Sequence, residues 1–129
     1  MLREGLLNPH INHLLSRIRH TNTLIISDRG FPTIPGVEVV DISLIAGIPC
    51  VLDVLSAVLS NFQCNKAVMS EEFRRVQSPE IQSAYEAAFN MIVVNWVPHA
   101  EFKGKARDVI GIIRTGDTTR FGNVLLESS

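Results

Sequence analysis

Two side chains that can exchange protons flank one short apolar segment, with His20 before it and Asp28 after it. The unperturbed pKa of histidine lies close to neutral pH, and a carboxylate within reach of the ring can fix its tautomer and tune its basicity. The segment between them contains Thr23 and three aliphatic residues, which favour a stiff β-strand. The pattern is typical of an acid/base site, although a helix C-cap explains His20 alone equally well and a turn explains Asp28 alone.

Two other segments carry candidate polar groups. His99 follows Pro98 at a predicted helix start, and residues 120–123 form the run Arg-Phe-Gly-Asn. The remaining histidines, His10 and His13, have polar neighbours on a predicted helix, so we expect both to face solvent. None of the four histidines lies in an HExxH or CxxC-like context, so the sequence predicts no metal site.

The motifs of covalent and nucleotide chemistry are absent from the sequence. The glycines form no phosphate-binding loop, no serine stands in an elbow context, and neither Cys50 nor Cys64 has a histidine beside it. Histidines with carboxylates, and no cofactor motif, favour proton transfer on a small polar substrate. We therefore expect no cofactor. The two cysteines lack a disulfide-like pattern and are expected to be reduced, as in a cytoplasmic protein.

The composition and net charge of the chain limit the kinds of partner that it can bind. The chain has 129 residues, 46% apolar and 19% charged, so we expect one domain over residues 1–129 with part of its apolar surface in a subunit interface. The net charge of −1 provides no field to attract nucleic acid or an anionic membrane. The N-terminus does not read as a secretory signal, and Gly47, Pro49 and Asp53 interrupt the most apolar stretch, so no membrane span is expected.

Predicted helices and strands alternate along the chain, and this alternation predicts an α/β fold. Helices are predicted over residues 9–19, 49–61, 79–89 and 98–106, and strands over 23–27, 37–41, 66–70, 91–97, 109–114 and 123–127. Asp28, His99 and Thr115 each directly follow a predicted strand. Because open α/β sheets bind ligands at strand ends, we expect these three residues to share one pocket.

Several short motifs together resemble the ribose pyranase/fucose mutarotase family of small sugar isomerases. They occur in order along nearly the whole chain: residues 5–8, His20 to Leu24, Ser27 to Pro32, Asp41, Gly47 to Pro49, Glu71-Glu72, His99 to Lys103, Ile113 to Asp117 and Phe121 to Leu126. The resemblance implies a three-layer α/β/α sandwich around a mixed sheet and a cofactor-free interconversion of the ring forms of a free monosaccharide. It also implies ring-shaped homo-oligomers, commonly decamers, with sites at subunit boundaries.

The resemblance also implies roles for individual residues. His20 matches the proton donor, and Asp28 matches a sugar-binding carboxylate. His99 and Lys103 match residues typical of the ribose branch, whereas the fucose branch tends to have arginine in place of the histidine. Phe121, Gly122 and Asn123 match the C-terminal binding triplet. D-Ribose is therefore the expected substrate.

The chain departs from the family at Phe121, where tyrosine is usual. The change removes a phenolic hydroxyl that could bond a sugar or relay a proton. Two alternatives stay open from the sequence: a mutarotase for fucose or another sugar, and a non-catalytic sugar-binding or transport-accessory protein.

Overall fold

The computed structural model describes residues 1–129, which form one six-stranded sheet with helices on both faces. The strands are β1 Thr23–Ser27, β2 Glu38–Asp41, β3 Cys64–Ser70, β4 Val93–Val97, β5 Gly111–Arg114 and β6 Val124–Ser128. The helices are α1 Pro9–Ser16, α2 Val51–Leu59, α3 Glu71–Val76, α4 Pro79–Phe89 and α5 His99–Lys105, and a 3₁₀ turn over Ala106–Asp108 follows α5.

The order of strands across the sheet is β2-β5-β1-β6-β3-β4. Strand β6 pairs antiparallel with both of its neighbours, β1 and β3, and all other pairs are parallel. The sheet is therefore mixed, with every strand except β6 running in one direction. Consequently, the carboxyl ends of β1 to β5 and the start of β6 all meet at one edge of the sheet, which we call the carboxyl edge.

Each face of the sheet is covered by a separate apolar cluster. On one face, α1, α2, α3 and α4 pack against the sheet, with Leu14, Leu55 and Phe73 among the fully buried side chains. On the other face, α5 and the segment after β1 pack through Phe31 and Phe102. These layers confirm the three-layer α/β/α sandwich. Helix α5 is short, and burial of Phe102, which contributes about 1.5–3 kcal/mol, holds it on the sheet.

Most predicted elements are present, with shifted ends. Helix α1 is capped by the Asn8 side chain, as its sequence indicates, but it ends at Ser16 and not at residue 19. The amides of Arg17 and Ile18 bond carbonyls three residues back, which tightens the last turn and stops the helix. His20 is therefore in a turn beyond the helix, and the prediction that it lies at the helix end is wrong.

The ends of other helices and strands also differ from their predicted positions by a few residues. Helix α2 begins at Val51, after the N-cap Cys50, two residues later than predicted. Helix α3 was not predicted, because it has only six residues and only Phe73 among them is buried.

The two cysteines of the chain, Cys50 and Cys64, are both free thiols. None of the helices has the length and apolar character needed to cross a bilayer.

Candidate active site

A pocket of about 300 Å³ opens at the carboxyl edge, a volume at the lower end of the range for small-molecule sites. Its lining is mostly polar and comes from three parts of the chain. These are the loop after β1, the start of α5 and the segment that leads into β6; the lining residues are Asp28, Arg29, Gly30, Phe31, Pro32, His99, Asp117, Thr118, Arg120, Phe121 and Asn123. The fold thus brings together residues almost a hundred positions apart.

One wall of the pocket is built on the end of β1. The Asp28 amide donates to Asn123 Oδ1 at 2.8 Å, which ties the end of β1 to the start of β6. The Asp28 carboxylate accepts from the Gly30 amide at 2.9 Å and is half-buried. Asn123 is itself buried, so its role within the chain is to hold the backbone of Asp28 while Asp28 faces the pocket.

Asp117 forms the floor beside Asp28. One of its carboxylate oxygens accepts from the Val51 amide at 2.7 Å, at the start of α2, and the other accepts from the Thr119 amide at 2.7 Å. Thr115 lies underneath, fully buried, with its hydroxyl donating to the Ser27 carbonyl at 2.7 Å. Asp28 and His99 therefore share a pocket, but Thr115 supports it from below, and Asp117 faces the cavity in its place.

The opposite wall is centred on His99. Its ring Nδ1 lies 2.7 Å from the hydroxyl of Ser70, at the end of β3. Its backbone amide donates to both carboxylate oxygens of Glu72, at 3.1 and 3.0 Å. Because Ser70 pairs with Val97 in the β3–β4 register, the ends of these two parallel strands place the histidine. Both the ring and the backbone of His99 are thus held.

Phe121 closes the pocket against His99. The two rings meet edge to face with centroids 4.9 Å apart. Phe121 has a φ of 60°, in the left-handed region that few non-glycine residues adopt. The next carbonyl, of Gly122, accepts from the buried hydroxyl of Tyr85 at 3.2 Å. A Cβ at Gly122 would lie 2.5 Å from that same hydroxyl, so a larger residue there would displace the Tyr85 side chain.

Lys103 and His20 lie outside this pocket. Lys103 lines an adjoining depression with Pro32, which borders both cavities. His20 is exposed at the other end of β1, and β1 itself spans about 13 Å at ~3.3 Å per residue. Within one chain, therefore, Asp28 does not orient the His20 imidazole. Thr21, beside His20, has a φ of 67°, which is unusual for a β-branched residue.

Burial shifts the pKa values of two titratable groups in the pocket, in opposite directions. It raises the pKa of Asp28, a shift that the hydrogen bonds from Gly30, Phe31 and Asn123 oppose and the charge of Asp117 reinforces. It lowers the pKa of His99, and the charge of Lys103 adds to that effect. The lowered pKa leaves the His99 imidazole neutral at neutral pH, which suits proton exchange and hydrogen bonding to hydroxyl groups.

Sequence reasoning gave no site role to four residues that matter to this geometry: Ser70, Glu72, Tyr85 and Asp117. Of these, Glu72 and Asp117 lie within the motifs that carry the family resemblance. Taken alone, the motif around Asp117 is typical of a strand end followed by a turn, although an aspartate three residues after a strand end is a detectable signal. Ser70 and Tyr85 are buried, and nothing in the sequence pairs either with its partner, because both contacts depend on strand register and helix packing.

Comparison with solved structures places the fold among proteins crystallised with free sugars. The structure of Bacillus subtilis RbsD complexed with D-ribose superposes with a TM-score of 0.92 and 29% identity, covering 100% of this chain and 98% of that one. A fucose mutarotase from Streptococcus pneumoniae, in complex with L-fucose, has a TM-score of 0.80 at 13% identity over 95% of this chain and 93% of that one, a likeness of fold alone.

Sequence comparison identifies the family. A D-ribose pyranase from Chromobacterium violaceum is 38% identical over 129 residues, covering 99% of this chain and 97% of that protein. A D-ribose pyranase from Laribacter hongkongensis is 36% identical over 128 residues, with 99% and 97% coverage. The model of the RbsD / FucU transport protein family matches residues 1–129. The chain belongs to this family, as its motifs predicted.

Proposed function

We propose that this protein interconverts the ring forms of free D-ribose, as a cofactor-free intramolecular isomerase. The observation that carries the proposal is the polar pocket that joins Asp28 to His99, in a chain whose full length matches D-ribose pyranases at up to 38% identity among the relatives described. The likeness to a ribose-bound structure of the family supports the choice of sugar.

The chemistry of ring opening fits these side chains. A hemiacetal opens when a proton reaches the ring oxygen and another leaves the anomeric hydroxyl. The carboxylates of Asp28 and Asp117 accept hydrogen bonds from sugar hydroxyls, whereas His99, Arg29 and Arg120 can donate them. Spontaneous opening already occurs slowly in water, so a placed acid/base group that adds about 10²–10⁴-fold is sufficient.

His20 enters this proposal as the proton donor of a second copy of the chain. Its side chain forms no hydrogen bond within its own chain, is exposed, and lies at the far edge of the sheet from the pocket. The strained turn at Thr21 supports a functional role, because backbone strain of this kind clusters at functional sites. We propose that His20 completes the pocket of a neighbouring subunit.

Exposed apolar side chains support an assembly. Leu44, Ile45 and Ile48 are 74%, 62% and 50% exposed, and the loop that carries them packs on Gly116 next to the pocket. Monomers seldom leave such patches in water. We propose a cytoplasmic homo-oligomer of single-domain subunits, arranged in rings as a decamer, in which Lys103, Phe121 and Gly122 also belong to the sugar site.

Two-dimensional exchange NMR on D-ribose tests the proposal. Cross-peaks between pyranose and furanose forms should grow faster when the protein is added, and L-fucose in the same assay should respond less. Unchanged ribose exchange at a protein concentration shown by calorimetry to bind ribose would rule out the isomerase. A larger acceleration for fucose than for ribose would favour the mutarotase alternative.

The second candidate, a non-catalytic sugar-binding protein, is favoured by Phe121 alone. Its ring packs on His99 but offers no hydroxyl to the sugar. This candidate predicts ribose binding by calorimetry with no gain in exchange rate, whereas the isomerase predicts both.

A further inference from the structure

The imidazole of His99 forms one hydrogen bond within the protein, with the hydroxyl of Ser70. The distance from His99 Nδ1 to Ser70 Oγ is 2.7 Å. Ser70 is 0% exposed, so it cannot touch a ligand in the pocket. The bond therefore lies behind the histidine, and Nε2 is the ring nitrogen left without a protein partner.

The position of one proton follows from this burial. The Ser70 hydroxyl has a single proton to donate, and it makes no hydrogen bond other than that with His99. If Nδ1 were protonated, it would donate to Ser70 and leave the hydroxyl proton buried without an acceptor, which proteins avoid. Ser70 therefore donates, Nδ1 accepts, and the proton of the neutral ring is on Nε2.

We propose that Ser70 is a positioning residue that holds His99 as the neutral Nε2–H tautomer, so that His99 donates a hydrogen bond to an acceptor oxygen of the sugar. The part that concerns the sugar rests on the function proposed above. The ring oxygen of a sugar can only accept a hydrogen bond. Carboxylates such as Asp28 and Asp117 cannot supply one. Arg29 and Arg120 can also donate, but both are exposed, whereas His99 is a donor held in place by a buried partner.

The charged groups around His99 act in both directions. Lys103, on the same helix, favours the neutral ring, whereas Glu72 on α3 and Asp28 beyond β1 favour the charged ring. Asp117, Arg29 and Arg120 also line the pocket. Burial outweighs the carboxylates and lowers the pKa of His99, which agrees with a neutral ring at pH 7.

The backbone of His99 is held by a different residue. Glu72 accepts from the His99 amide with both carboxylate oxygens, which fixes the start of α5. Ser70 holds the ring and determines which ring nitrogen bears the proton. Removal of the Ser70 hydroxyl should therefore change the tautomer and leave the backbone of His99 in place.

Nitrogen-15 NMR of histidine-labelled, sugar-free protein tests the proposal directly. In the wild type, His99 should show an unprotonated Nδ1 and a protonated Nε2; the His99→Gln variant identifies these signals by their loss. Ser70→Ala should mix the tautomers and raise the pKa of His99, and Ser70→Thr, which keeps the hydroxyl, should restore both. Ser128→Ala, at the opposite edge of the sheet, is the matched control and should change neither.

Calorimetry with D-ribose gives the second readout. Ser70→Ala should weaken binding about 3- to 10-fold, as expected for one misplaced neutral hydrogen bond. A protonated Nδ1 in the wild type would overturn the proposal, even if the Ser70 variants do not fold. An unchanged tautomer and pKa in a folded Ser70→Ala would also overturn it. Failure of the isomerase function would appear instead as absent ribose exchange with the Nε2–H tautomer intact.

Discussion

The two ends of β1 differ in how firmly each holds its polar residue. At the carboxyl end, Asp28 is bonded through its backbone to Asn123 and through its side chain to Gly30. At the amino end, the Arg19 amide donates to Asn22 Oδ1 at 2.9 Å and the Thr21 amide donates to the Ser128 carbonyl at 3.0 Å, so the turn is held, but the His20 side chain is exposed and has no hydrogen-bonded partner.

This difference between the two ends of β1 suggests different roles for them, sugar binding at the carboxyl end and proton transfer at the amino end. A pocket whose walls are fixed by strand ends is preorganised for a ligand, which lowers the cost of binding. Within one chain the exposed His20 lies too far from the pocket to reach a bound sugar. This separation supports the proposal that one copy of the chain supplies the binding groups and another supplies the proton donor.

The largest effect is expected at the amino end. His20→Ala should reduce the catalysed ribose exchange rate about 10²–10⁴-fold, the usual contribution of a placed acid/base group. Ribose affinity and the free energy of unfolding should hardly change, because the side chain is exposed. Exchange NMR, calorimetry and urea unfolding measure the three quantities. His13→Ala, another exposed histidine, is the control, and full activity in His20→Ala would remove His20 from the mechanism.

Asp28→Asn tests the carboxyl end and should act on binding. Loss of a charged acceptor should weaken ribose affinity about 10- to 100-fold, the worth of a hydrogen bond to a charged group. In the wild type, affinity should fall as the pH falls through the raised pKa of Asp28. Calorimetry across pH measures both effects, and an affinity in Asp28→Asn equal to that of the wild type would show that this carboxylate does not bind the sugar.

Asp28→Asn should not lower the free energy of unfolding, in contrast to its expected effect on ribose affinity. Folding raises the pKa of its carboxyl group, so its contribution to stability is present below the unfolded pKa and is lost as the pH rises through the folded pKa. Asp28→Asn should therefore leave stability at neutral pH equal to or above that of the wild type, which distinguishes lost binding from lost folding.

Gly122→Ala probes how rigid the carboxyl edge is. The added Cβ would lie 2.5 Å from the Tyr85 hydroxyl and 3.1 Å from Thr119, so the free energy of unfolding should fall by about 1–3 kcal/mol. Removing that hydroxyl with Tyr85→Phe should recover part of the loss in the double variant. Urea unfolding of both single variants and the double variant gives the coupling; simple additivity would mean that this contact is not tight.

Phe121→Tyr should have the smallest effect. The edge-to-face contact with His99 should persist, and a new hydroxyl at the rim should raise ribose affinity or exchange rate about 3- to 10-fold, the scale of one hydrogen bond. The same NMR and calorimetric assays measure it. No gain in either quantity would show that the missing phenol does not limit the protein.

The sequence predicts the carboxyl edge well because strand ends carry their own signals. Asp28 directly follows β1, His99 lies two residues after the end of β4, and both line the pocket. The β1 and α4 bounds match their predictions, since an aliphatic run and the Ser78-Pro79 start are local features. Local pattern could not show that Ser70 meets His99, because that contact needs the β3–β4 register. The separation of His20 from Asp28, by contrast, follows from the strand that the sequence predicts between them, since a strand extends by ~3.3 Å per residue.

Subunit complementation tests the central claim most directly. His20→Ala and Asp28→Asn chains are co-expressed, and ribose exchange by the mixed assembly is compared with that of each variant alone and of the wild type. The assay uses ribose well below the wild-type dissociation constant, so that the weaker binding of Asp28→Asn lowers the rate of that variant. A site shared between copies then predicts recovery of about a quarter of the wild-type rate, because random mixing pairs an intact His20 with an intact pocket in that share of interfaces. A mixed assembly with no more activity than its two parents would contradict the account.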